Sequence, residues 1–151
     1  AEKAAEQGIL DKDKYVSASA TQVFVSLFNQ GRGINAAEKI AFELLKNEDY
    51  EVRSKGLSLF YRLFQMGIGF DVAQTAATER INDVDRNVRL GSLELFQYIV
   101  DKNRGFDAAE KAAKIGMSDP DSTIKFTATY LLESVLKGNP KQFGLGWDKE
   151  E

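Results

Sequence analysis

The chain has 151 residues, 43% hydrophobic and 28% charged, which is enough to bury one core and fits a folded domain and not a disordered segment. The formal charge of −3 is spread evenly along it, so the basic stripe of a nucleic-acid binder is missing and nucleic acid is not the expected partner. With no cysteine and no histidine, disulfides, thiol chemistry, the usual zinc sites and histidine acid–base catalysis are all excluded.

In chain order, the first element sets a pattern that recurs about every 36 residues without a gap. Ala1, Ala5 and Ile9 reappear as Ala37, Ala41 and Leu45, as Ala73, Ala77 and Ile81, and as Ala109, Ala113 and Met117. Spacing of i, i+4, i+8 is one face of an α-helix, and its small alanines admit close neighbours. This predicts a first helix over 35–45, 71–81 and 107–117, with Asn35, Asp71 and Asp107 as N-caps. Ala1 falls three positions inside the period and no initiator Met precedes it. That start fits a piece excised from a longer array, or a chain whose leader has been removed.

A polar break comes next, Asp11-Lys-Asp13, Asn47-Glu-Asp49, Asp83-Val-Asp85 and Asp119-Pro-Asp121, which caps a second helix. That helix carries Val16, Val52, Val88 and Ile124, then Val23, Leu59, Leu95 and Leu131, then Leu27, Leu63, Ile99 and Val135. Phe24, Phe60 and Phe96 flank the stripe, and Ala20, Gly56, Ser92 and Ala128 form a small-residue position suited to close packing on the first helix. Glycine at a helix interior costs about 1 kcal/mol relative to alanine, and closer packing is the expected compensation. Gly31-Arg-Gly33, Gly67-Ile-Gly69, Asn103-Arg-Gly105 and Gly138-Asn-Pro140 then end the second helix with left-handed caps. The elements predict an all-α chain of helix, turn, helix and glycine joint. One such pair cannot bury its own apolar face, so the copies must cover one another.

The start of the second helix sharpens the pattern: Asp49-Tyr-Glu-Val52-Arg53, Asp85-Arg-Asn-Val88-Arg89 and Asp121-Ser-Thr-Ile124-Lys125. This arrangement resembles the HEAT repeat over nearly the whole chain, whereas the aromatic and Gly/Ala/Pro positions of tetratricopeptide repeats do not line up. The resemblance implies an α-solenoid of four HEAT-like helical hairpins in a right-handed superhelical stack. Residues 1–141 would be a single domain (repeats 1–33, 34–69, 70–105 and 106–141), with 142–151 as a tail. It also implies a structural ladder joining Asn47, Asp83 and Asp119 with Arg53, Arg89 and Lys125; the first copy departs, with Ser17 at the basic position, so the ladder stops there. The helix-A proline common in the family is absent.

Motifs that carry chemistry have blander readings here. Gly67-Ile-Gly69 half-imitates a dinucleotide fingerprint but follows a helix and not a strand. Asp83-Val-Asp85 begins like a calcium loop, yet Val88 holds the place of its essential glycine and Glu94 lies two turns into a helix. Glu43, Glu79, Glu94 and Glu133 read as solvated faces and not as paired glycosidase acids. No catalytic residue, metal or cofactor is expected.

The resemblance implies that the second helices line a concave face, where Gln22, Ser58, Glu94 and Tyr130 recur at one outward position and Ser26, Arg62, Tyr98 and Ser134 at another. The copies diverge here, as a surface tailored to a protein or peptide partner would, and Tyr98, Tyr130 and Arg62 are the natural anchors. The expectation is therefore a non-enzymatic binding or scaffold module. The alternatives are a phycobilin-lyase-type holder of a tetrapyrrole, a segment of a longer array, and a HEAT-like DNA glycosylase, against which the even charge argues. Phe143, Leu145 and Trp147 in the tail read either as a cap on the last copy or as a docking peptide, so end-to-end or tail-mediated self-association belongs among the expectations. No apolar run approaches the roughly 20 residues of a membrane span. Cytoplasmic placement is the default, and a secreted or periplasmic one follows if Ala1 is a processed terminus.

Overall fold

The computed structural model describes residues 2–138, so Ala1 and the tail residues Phe143, Leu145 and Trp147 lie outside the described residues. Eight α-helices follow one another, and no strand occurs among these residues: α1 (Glu2–Ile9), α2 (Lys14–Asn29), α3 (Ile34–Leu44), α4 (Tyr50–Gln65), α5 (Phe70–Arg80), α6 (Arg86–Asp101), α7 (Phe106–Gly116) and α8 (Ser122–Gly138). None is long and apolar enough to cross a membrane.

The paired polar residues between helices write the even-numbered starts. Asp13, Asp49, Asp85 and Asp121 each accept backbone N–H bonds from the first turn of the helix that follows, at 2.8–3.2 Å. Two residues earlier, Asp11, Asn47, Asp83 and Asp119 accept the backbone N–H of that cap residue, so one short side chain fixes the turn and the next fixes the helix.

The odd-numbered starts depart from expectation. Helices α3, α5 and α7 begin at Ile34, Phe70 and Phe106, and their caps are Gly33, Gly69 and Gly105 in the left-handed region, with no side-chain capping bond. Asp71 and Asp107 lie inside the first turn, where their charge complements the helix dipole. The joints need two left-handed residues each: 31 with 33, 67 with 69, and Asn103 with Gly105. The first of each pair closes the preceding helix. At the first joint the Gly31 N–H reaches the Phe28 carbonyl and the Arg32 N–H reaches that of Leu27; Gly67/Ile68 and Asn103/Arg104 repeat this closure. Asparagine tolerates this conformation better than any other non-glycine residue, which accounts for Asn103.

The helices pack in consecutive pairs, α1 on α2 through α7 on α8, and the later pairs are joined by α4 on α6, α6 on α8, α6 on α7, α3 on α5 and α5 on α7. Every substantial contact therefore joins elements one or two places apart in chain order. The spaced alanines Ala37 and Ala41, Ala73 and Ala77, and Ala109 and Ala113, with Phe24, Phe60 and Phe96, are buried in one continuous core. Val16 and Val23 of α2 are exposed, in a shallow groove bordered by Ala4, Ala5 and Gly8 of α1.

The small-residue position does what its side chains allow. A Cβ on Gly56 would stand 2.8 Å from the Ala41 carbonyl oxygen and 3.1 Å from Leu44 Cβ, so α4 approaches the α3 backbone more closely than any side chain permits. Gly56→Ala is expected to lower the unfolding free energy by about 1–3 kcal/mol, measured by urea denaturation, because the obstruction is backbone. Gly91→Ala should cost less, since only the tip of the Leu57 side chain has to move.

Candidate functional site

The spacing between the even-numbered helices is uneven. Helix α4 lies against α6 and α6 against α8, whereas α2 stands off from α4. The cause is legible in one position. Leu57 of α4 and Leu93 of α6 reach across to the following pair, where they touch the places of Gly91 and Gly116, but the equivalent residue of α2 is Thr21. The shorter, polar threonine leaves a cleft of about 330 Å³ between α2 and α4.

Ile9, Phe24, Leu44 and Leu59 supply its apolar surfaces, and Thr21, Ser54, Ser58, Glu51, Lys55 and Arg62 add hydroxyls and charge. Polar bonds also tie the two pairs together: Lys55 Nζ donates to Ser17 Oγ at 3.1 Å, and Lys14 pairs with Glu51 at 3.2 Å. Ser17 is buried and donates in turn to the Ile9 carbonyl at 2.9 Å. Arg62 is exposed and makes no ion pair among the described residues.

Of the outward residues expected to bind, Ser58 and Arg62 line this cleft. Gln22 and Ser26 lie exposed on α2 but do not line it. Glu94 and Tyr98 belong to a different cluster. The Tyr61 hydroxyl donates to Glu94 Oε2 at 3.1 Å, and the Tyr98 ring stacks on Phe64 with centroids 5.4 Å apart and meets Tyr61 edge-on at 5.9 Å. Tyr98 is thus half-buried, with its ring face spent on neighbours. Burial, then the charge of Glu94 and the bond to it, push the Tyr61 phenol well above its ordinary range. Ser134 accepts from Gln97 Nε2 and donates to the Tyr130 carbonyl, each at 3.1 Å, while Tyr130 itself is 57% exposed. Gln22, Ser26, Ser58, Arg62, Glu94 and Tyr130 are exposed and Tyr98 and Ser134 half-buried; Thr21 and Lys55 were not among the expected residues, and threonine at 21 where leucine stands at 57 and 93 was the available signal.

The ladder residues pair from one copy to the next. Arg53 Nε and Nη2 both reach Asp83 at 3.1 Å, and Arg53 Nη1 also donates to the Asn47 and Glu48 carbonyls at 2.8 Å. Arg89 grips Asp119 through two bonds of 2.7 and 3.3 Å and donates to the Asp83 and Val84 carbonyls. Burial opposes the Asp119 charge, but the Arg89 bonds, the Asp121 N–H and the Arg89 charge outweigh it and leave the carboxyl below its ordinary range. Alongside, Arg86 holds Asp121 at 2.7 Å and, with the Ile124 N–H, brings that carboxyl down to about 2. Asn47 takes part only through its turn-capping side chain and its carbonyl, and Lys125 is exposed with no carboxylate partner among the described residues. Asp83 and Asp85, the calcium-like pair, spend their carboxylates on Arg53 and on helix capping.

No family model matches the chain, and no curated protein matches it. Among solved structures, the crystal structure of Cex1p is similar, with a TM-score of 0.72 at 17% identity over 93% of this chain. The chain spans 29% of the length of that one. At this identity the likeness concerns the fold alone, and it fits the eight helices to a helical repeat class.

Proposed function

We propose that the chain is a HEAT-like solenoid of four hairpins, stacked with a right-handed twist, which acts without catalysis as a binding or scaffold module. Its ligand is an extended protein segment held on the concave, even-helix face. The cleft between α2 and α4 carries this reading: an apolar recess opened by Thr21, lined also by Arg62, which has no ion-pair partner among the described residues. A peptide offering an apolar anchor beside a carboxylate fits both features, because arginine and aromatic or aliphatic anchors in recesses dominate interface energies.

The cleft suggests its own control. Thr21→Leu restores the residue that stands at 57 and 93 and fills the recess without adding charge. Peptides selected by display against the wild-type chain are expected to share an apolar residue next to Asp or Glu. Thr21→Leu and Arg62→Glu should each weaken such a peptide at least about tenfold, equivalent to about 1.4 kcal/mol, in fluorescence anisotropy titrations. Thr21→Leu should do so with an unchanged or raised melting temperature. Equal binding by the wild type and Thr21→Leu would remove the cleft from the account.

A further inference from the structure

The cleft between α2 and α4 is fastened at one end. Lys14 and Ser17, at the start of α2, are tied to Glu51 and Lys55, near the start of α4, at 3.2 and 3.1 Å. Further along, Thr21, Phe24 and Val25 of α2 line the cleft, and among the described residues no hydrogen bond or ion pair crosses from them to α4. The cleft is internal to the chain, since the buried Ile9 of α1 and Leu44 of α3 back it.

The charges are ordered along it. Lys55 stands at the fastened end and Arg62 seven positions on, and both line the cleft. That spacing puts them on one face of α4, about 10 Å apart along its axis. Lys55 gives Ser17 one of its three N–H groups, and neither cation has an ion-pair partner among the described residues. Glu51, the carboxylate among the lining residues, is already paired with Lys14. Between the cations, Leu59 of α4 belongs to the apolar lining. The cleft thus offers two partners for negative charge, separated by an apolar stretch.

We infer that the segment bound here is the C-terminal end of a partner protein. Its terminal carboxylate meets Lys55, an Asp or Glu about three residues earlier meets Arg62, and apolar side chains between the two fill the recess. The register follows from the rise of an extended chain, about 3.3 Å per residue, three of which span the interval between the cations. A chain passing through would have to break both ties. A chain that stops at them needs a partner for its carboxylate, and a lysine supplies charge-assisted bonds. The cleft volume of about 330 Å³ agrees, lying at the low end of the roughly 300–1,000 Å³ of ligand sites. The inference rests on the cleft as the binding site and specifies which part of the partner enters it.

The test uses peptides selected against the wild-type chain from a library displayed with free C-termini. One such peptide is synthesised as the free acid, as the C-terminal amide, and with Gly-Ser added after its last residue. In fluorescence anisotropy titrations the free acid is expected to bind at least about tenfold more tightly than either other form. Lys55→Met should remove that preference by weakening the free acid alone, whereas Arg62→Glu should weaken all three forms alike. The comparison of peptides on the wild type requires no variant to fold, and circular dichroism checks the helix content of both variants. Equal binding of free acid and amide, or a preference that survives Lys55→Met, would overturn the inference; the cleft itself stands if Thr21→Leu still weakens the peptide. Peptides indifferent to Thr21→Leu would remove the cleft and this inference together.

Discussion

Phe64→Ala is expected to destabilise the chain by about 4–5 kcal/mol, near the top of the range for buried aromatic truncation. Phe64 is buried at the meeting point of four rings: Phe70 stacks on it at 4.9 Å, Tyr98 at 5.4 Å, and Phe60 and Tyr61 each lie at 6.4 Å. Removing it opens a cavity and also deletes ring pairs worth about 0.5–1.5 kcal/mol each beyond their buried area. The rings come from α4, α5 and α6, so the space cannot close by moving one side chain. Urea denaturation monitored by circular dichroism measures the loss. Phe64→Leu, which keeps most of the volume, should recover more than half of it; equal losses for the two variants would show that ring stacking, and not volume, sets the cost.

Arg53→Met should cost about 3 kcal/mol by the same measurement, the low end of the 3–5 kcal/mol typical for breaking a buried ion pair from one side. The Arg53 and Asp83 side chains are 6% and 4% exposed, so the abandoned carboxylate cannot recruit water freely. Arg80, 3.9 Å from the same carboxylate, holds the value down. The Asn47 and Glu48 carbonyls lose their donor as well. Adding Asp83→Leu to Arg53→Met should return a large part of the stability, because an apolar pair of similar volume replaces two buried charges. A double variant less stable than the single one would mean that capping by Asp83, which accepts the Asp85 N–H at 2.9 Å, outweighs its charge pairing.

Helix placement was legible in the sequence because three independent signals coincide in every copy: spaced alanines, paired Asx residues and glycine joints. The caps of α3, α5 and α7 were misassigned for a local reason. Asn35, Asp71 and Asp107 have the right chemistry for capping, but Gly33, Gly69 and Gly105 already turn the chain two residues earlier, and the helix starts before the side chain is needed. Tyr98 shares an outward position with Ser26, Arg62 and Ser134, yet its ring lies down on Phe64 because apolar area was available beside it. The period shows which residues share a position, not how neighbouring copies lean. That is why the partnering of Arg53 with the acid of the following copy, and the gap beside Thr21, emerged only with the coordinates.

Because every substantial helix contact runs between near neighbours in chain order, folding requires no long loop to close, and short-range wiring of this kind goes with rapid assembly. The same wiring means that damage stays where it occurs. Helices α1 and α2 meet the rest across a gap, so they can peel away as a unit while the chain beyond Ile34 keeps its own pairings. The molecule thus has a weak hem at one edge, and fraying there need not unravel the cloth.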